Sequence, residues 1–130
     1  MDTASLCTEE HEPVHKEVGE TAEFSVAGCV KRTNVIRATW NFVKDPVAVV
    51  EIDDNGIMSS DNPQFKGRVD MNTHNFTLTI TSLTHQDSGK YSFVSVTDKD
   101  DQNPTIFFTL YVNGKTFIFC IKENKAFVLL

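Results

Sequence analysis

The chain reads as short alternating runs rather than as helical stripes. Between Thr21 and Val26, Ala22, Phe24 and Val26 alternate with Thr21, Glu23 and Ser25. Residues 35–43 repeat the pattern. Ile36, Ala38, Trp40 and Phe42 fall on one side, and Arg37, Thr39, Asn41 and Val43 on the other. Phe76, Leu78 and Ile80 alternate with Thr77, Thr79 and Thr81, and Phe108, Leu110 and Val112 with Phe107, Thr109 and Tyr111. A period of two places successive side chains on opposite faces of a strand. Further strands are predicted over 12–18, 47–52, 68–71 and 90–97. Pro13 stands at the start of the first, where its missing N–H does no harm. Asp53-Asp54-Asn55-Gly56 is a hairpin signal. About nine strands in roughly 100 residues, parted by Gly, Pro, Asn and Asp clusters, predict an antiparallel sandwich or barrel.

Composition narrows the class. A length of 130 residues suits one domain, and 40% hydrophobic with 23% charged residues suits a globular one. Such a chain buries about two-thirds of its unfolded surface, so folding does not depend on a disulfide or metal. Twelve basic against eighteen acidic residues give a net charge of −6, which excludes the basic face of a nucleic-acid binder. No apolar run approaches the ~20 residues of a membrane span. The start, Met1 to Cys7, lacks the basic and apolar regions of a signal peptide. This predicts either an intracellular protein or a chain without its leader. Cys7, Cys29 and Cys120 lie 22 and 91 residues apart and match no zinc motif. Three is odd, so at least one thiol is free or pairs with another chain. All three are expected as unpaired structural thiols.

Three groups of residues carry side chains of the types that catalysis or metal binding uses. His85, Asp87 and Ser88 have the residue types of a hydrolase triad, but as sequence neighbours they do not converge as triad groups must. Cys7, His11 and His15 recur at four-residue spacing, but Pro13 interrupts the helix that would align them. The acidic run Asp98, Asp100, Asp101 lacks the glycine and glutamate of a calcium loop, having Asn103 and Thr109 there. No catalytic, metal or cofactor site is expected, and the chain does not read as an enzyme.

One segment is specific. Asp87-Ser88-Gly89-Lys90-Tyr91 resembles the corner before the sixth strand of immunoglobulin variable-type domains, where a tyrosine hydroxyl bonds back to the backbone. Trp40 matches the core tryptophan of the third strand, and Arg68 and Asp87 match an arginine–aspartate pair that closes such domains. The resemblance covers about residues 13–113. It implies an all-β, Greek-key sandwich of the variable type, with two extra strands between Trp40 and Tyr91. The family's two core cysteines fall here on Val26 and Phe93, so the core inter-sheet disulfide is expected to be absent. Val26 and Phe93 should instead pack with Trp40. The cysteine-free core, the run Pro63 to Val69 and Phe108-Thr109-Leu110-Tyr111-Val112 resemble the membrane-distal domain of SLAM-type leukocyte adhesion receptors.

That resemblance implies an extracellular adhesion module of an immune-cell receptor. It would bind itself or a related immunoglobulin domain through one sheet face. Alternation gives the face. Arg37, Thr39, Asn41 and Val43 point out, as do Ser92, Val94 and Val96, and Phe107, Thr109 and Tyr111. An apolar centre of Val94, Val96, Phe107 and Tyr111 is then rimmed by Arg37, Lys44, Glu51, Asp98, Lys99 and Asp100, the anatomy of a protein interface. Asn75-Phe76-Thr77 is the one N-glycan acceptor sequence, in a turn of the opposite sheet. The expected location is the cell surface, with membrane contact only through segments of a longer form. No nucleic acid or small-molecule substrate is expected. The alternatives are a structural module of an intracellular scaffold and an antigen-receptor-like variable domain. Residues 1–12 are expected to be loose. Residues 114–130 form an apolar tail, either a folded-back hairpin or a truncated or alternatively spliced end.

Overall fold

The structure, a computed structural model, describes residues 8–30, 35–59, 62–98 and 103–114. Nine strands follow in chain order: β1 (Val14–Glu17), β2 (Ala22–Phe24), β3 (Val35–Phe42), β4 (Asp45–Asp53), β5 (Gly56–Ser59), β6 (Val69–Met71), β7 (Leu78–Ile80), β8 (Gly89–Thr97) and β9 (Ile106–Asn113). They form a six-stranded sheet in the order β1-β9-β8-β3-β4-β5 and a three-stranded sheet in the order β2-β7-β6. Among the described strands β1 and β9 pair in parallel, and every other strand pair is antiparallel. Of the sandwich and the barrel that the alternation allows, the two separate sheets make it the all-β sandwich.

The inner faces meet in an aromatic core. Trp40, Tyr91, Phe24, Phe42, Phe65 and Phe93 are among its fully buried side chains. The Trp40 ring lies 4.9 Å from Phe93 and 5.4 Å from Phe108, and its indole N–H donates to the Phe76 carbonyl at 2.9 Å. Val26 and Phe93 occupy the two disulfide positions and are buried, so no core disulfide joins the sheets. Burying each large apolar side chain contributes roughly 1.5–3 kcal/mol, which offsets what the bond would have supplied.

The corner before β8 is held by four groups. The Tyr91 hydroxyl donates to the Asp87 carbonyl at 2.6 Å, and burial pushes the phenol well above its ordinary pKa. Arg68 donates to both oxygens of the Asp87 carboxylate at 2.8 Å. Gln64 and the Thr84 backbone N–H add two more bonds to it, at 2.9 Å each. Gly89 has φ +147°, and a Cβ there would meet Phe42 Cε1 at 2.8 Å, so the motif needs a glycine. Asp87 is thus a buried structural carboxylate, and Ser88 Oγ is taken up by the Val112 N–H at 2.8 Å. The Ser88 N–H donates to the His85 carbonyl at 3.1 Å, so His85 enters the corner through its backbone.

Three details differ from the sequence reading. Alternation places Ile36 inward with Ala38, but it is 39% exposed. The pairing of β3 with β8 shifts between Val35 and Arg37, and a one-residue slip reverses the face of every side chain beyond it. Val35 packs against the core instead. Within the segment 1–12 that its polar composition predicts to be loose, residues 9–11 dock along β9. Glu10 bridges Phe107, the Phe107 N–H donates to the Glu9 carbonyl at 2.6 Å, and the His11 ring stacks on Phe108 at 4.2 Å. Unpaired backbone at the sheet edge draws them in. Finally, Cys29 was expected as an unpaired thiol and is disulfide-bonded. The tail from Lys115, and residues 99–102, lie outside the described residues.

Candidate functional site

The outer face of the six-stranded sheet is assembled by register. One cross-strand row runs Met58, Glu51, Thr39, Val94. The next runs Ala48, Asn41, Ser92, Phe107. Arg37 pairs with Val96 on the other flank. Thr39 Oγ1 donates to Glu51 Oε2 at 2.9 Å, fixing that carboxylate over the middle of the sheet. Arg37, Thr39, Asn41, Glu51, Val94 and Val96 together line a shallow depression of about 280 Å³. Six of the residues expected from alternation are therefore neighbours.

The remaining ones are distributed differently. Val43 and Tyr111 are exposed, at 47% and 46%. Val43 is tied to β8 by its N–H to the Lys90 carbonyl at 2.8 Å. Tyr111 stacks on His15 at 5.2 Å, at the β1 side. Phe107 is half-covered. The Lys90 ammonium sits 4.7 Å from its ring centroid and pairs with Glu10 at 2.9 Å. Such cation–aromatic packing takes Phe107 out of the open apolar centre. Asp98 is exposed at the end of β8, and Lys44 is exposed beside Val43. Lys99 and Asp100 lie outside the described residues.

Alternation missed one large contributor. Met58 is 57% exposed, and its register partner Glu51 puts it on the outer face. The signal was present. A two-residue turn at Asp54-Asn55 pairs Asp53 with Gly56, and counting outward pairs Glu51 with Met58. Lys90 and Glu10, which cover Phe107, were also missed, because they belong to elements whose contact is made only in three dimensions.

On the other sheet, Asn75 is exposed in the turn between β6 and β7. Its Oδ1 accepts the Thr77 N–H at 3.0 Å. The turn is braced by Asn72, whose Oδ1 accepts the His74 and Asn75 N–H groups. Phe76 takes φ +64°, which points its ring into the core while Asn75 faces solvent. Among the described residues no cluster of His, Cys, Asp or Glu could hold a metal ion, and no helix is long and apolar enough to cross a membrane.

Two sheets, the tyrosine corner and the buried Arg68–Asp87 pair define a variable-type immunoglobulin sandwich. The family model for the immunoglobulin V-set domain matches residues 9–113, and the chain belongs to that family. The family is one of non-enzymatic recognition domains. No curated protein matches the chain. Among solved structures it is similar to the first immunoglobulin-like domain of human CD48, with TM-score 0.70 and 18% identity over 85% of this chain and 88% of that one. It is similar to CD84, of the SLAM family, with TM-score 0.64 and 18% identity over 79% and 97% of the two chains. It is also similar to the CD2-binding domain of CD58, with TM-score 0.59 and 24% identity over 77% of this chain and 52% of that one.

Proposed function

We propose that this domain is the extracellular adhesion module of an immune-cell surface receptor. It binds a second copy of itself, or a related immunoglobulin domain, through the outer face of the six-stranded sheet. The row Met58, Glu51, Thr39, Val94 carries the reading. It sets an exposed thioether and a half-buried valine on either side of a held carboxylate, with Arg37 on the flank. Apolar surface supplies affinity, while Arg37 and Glu51 offer opposite charges that a second copy can pair in reverse. The fold neighbours point the same way, since CD58 uses a domain of this fold to bind CD2.

Sedimentation equilibrium of the full chain over a wide concentration range tests this. A monomer–dimer equilibrium is expected, weakened about tenfold or more by Met58→Asp or Val94→Asp. Phe107→Asp should weaken it less directly, because Lys90 already covers that ring. Arg37→Glu alone and Glu51→Lys alone should each weaken association, and mixing the two variants should restore it. A strict monomer at the highest concentration removes the homophilic reading and leaves a different immunoglobulin-domain partner.

Asn75 is proposed to carry an N-linked glycan. Exposure and the bond from the Thr77 N–H to Oδ1 support it, since they leave Nδ2 facing solvent. The chain secreted from eukaryotic cells should lose mass on treatment with peptide N-glycosidase, and Asn75→Gln should abolish that change. An unmodified Asn75 in the secreted protein counts against it.

A further inference from the structure

A second depression, of about 170 Å³, lies where β3 and the β4–β5 hairpin meet the β6–β7 turn. Ile36 and Ile52 supply its apolar lining, Asp53 and Asp54 its carboxylates, and Thr73 and Phe76 of the turn its other wall. Ile36 is exposed because the register of β3 with β8 shifts beside it. Ile52 is half-buried, and its register partner Ile57 is 41% exposed. Three neighbouring isoleucines in contact with water form an apolar patch, which is stabilised by cover.

The turn that walls the depression is pinned. The Asn72 N–H donates to the Thr77 carbonyl at 2.9 Å, and the Phe76 N–H donates to the Asn72 carbonyl at 2.8 Å. Phe76 takes φ +64°, which bulky residues rarely adopt. Its buried ring and the bond from the Trp40 indole to its carbonyl, at 2.9 Å, hold it there. Asn75 is the exposed residue between the two lining positions. Its Cα is about 3.8 Å from that of Phe76 and at most about 7 Å from that of Thr73.

We propose that the first sugar of an N-linked glycan on Asn75 packs into this depression and covers its isoleucines; this rests on the reading of Asn75 as a glycan acceptor. Transfer forms the bond from the sugar's anomeric carbon to Asn75 Nδ2, breaks that carbon's bond to the phosphate of its lipid carrier, and releases one amide proton. The sugar, N-acetylglucosamine, has a face of C–H groups and an acetyl methyl to lay on Ile36 and Ile52. Its hydroxyls and acetamide N–H can donate to Asp53 and Asp54. Asp53 Oδ1 already accepts the Asn55 N–H at 2.8 Å, which orients that carboxylate and leaves Oδ2 for the sugar. A fixed attachment point lowers the entropy lost when the sugar settles. Arg37 lines both this depression and the one on the outer face, whereas neither Met58 nor Val94 lines it. The sugar therefore borders the adhesion face and leaves its centre open.

The full chain, secreted from eukaryotic cells that make high-mannose glycans and trimmed with endoglycosidase H to one N-acetylglucosamine, tests this. Intact mass separates the two readings. An unmodified Asn75 overturns the acceptor reading and the packing with it, whereas the results below bear on the packing alone. Proton NMR should show nuclear Overhauser contacts from the acetyl methyl of the retained sugar to the Ile36 methyls. Tm should lie about 5 °C above that of Thr77→Ala, which removes the acceptor sequence but keeps the Asn75 side chain. Ile36→Ser should cut that gain to less than about 2 °C, because the sugar then has no apolar floor. A sugar that makes no contact with Ile36, or a gain that Ile36→Ser leaves whole, overturns the packing while the glycan itself stands.

Discussion

Replacing Asp87 by asparagine is expected to cost about 3–5 kcal/mol of folding stability, as breaking a buried ion pair typically does. The side chain is fully buried, and four donors converge on it: two from Arg68, one from Gln64 and one from the Thr84 backbone. An amide keeps the shape but turns one acceptor into a donor facing other donors. It also leaves Arg68 beside Phe65 with no counter-charge. Arg68 keeps its bonds to the carbonyls of Gln64, Thr81 and Ser82, so the loss falls on the corner rather than on the arginine's position. Urea unfolding of the two proteins checks it. A difference below about 1 kcal/mol would mean that the pair is solvated enough to be dispensable.

The same carboxylate makes stability depend on acid. Burial pushes the Asp87 carboxyl up, but the hydrogen bonds from Arg68, Gln64 and Thr84 outweigh it, and the group lies below the ordinary carboxylate range. As pH falls, the unfolded chain takes up this proton before the folded one does. The contribution is therefore whole above the ordinary aspartate value of about 3.9 and is lost as pH drops through the lower folded value. The wild-type unfolding midpoint should fall steeply below pH ~4, and that of Asp87→Asn should fall less.

How much of this was legible depended on whether the determinant was local. The Asp87-Ser88-Gly89-Lys90-Tyr91 corner could be read because its bonds span few residues, as the four-residue reach from Tyr91 to the Asp87 carbonyl illustrates. Strands whose outer face meets water could be read from period two. The inward set on β8 and β9 follows it closely. The slip at Ile36 could not be read, because a bulge is a property of two strands and the alternation of β3 alone continues through it. Residues 9–11 looked loose because they are polar. They are held by backbone bonds and one ring stack, neither of which leaves a hydrophobic pattern. On the candidate face, alternation found the sides correctly but not the cover. Phe107 faces outward, yet Lys90 and Glu10, eighty residues apart in sequence, close over it.

Phe93→Ala should cost about 3–5 kcal/mol, the usual loss for a buried aromatic residue replaced by alanine. Phe93 is fully buried at the position where the family carries its second core cysteine. Its ring contacts Trp40 at 4.9 Å and Phe76 at 5.9 Å, so it touches the third strand and the β6–β7 turn at once. Contact across both sheets is what the absent disulfide would have provided, here made by packing rather than by a bond. Val26→Ala removes less volume on the β2 side and should cost less. Trp40 is the one tryptophan of the chain, so its emission reports on this region directly. Alanine at 93 should shift that emission to the red as the cavity beside the indole hydrates, while the bond from the indole to Phe76 keeps the ring in place. Phe93→Leu retains most of the buried area and should recover more than half of the loss. If leucine fares no better than alanine, the aromatic contact with Trp40, rather than buried volume, is what joins the sheets at this point.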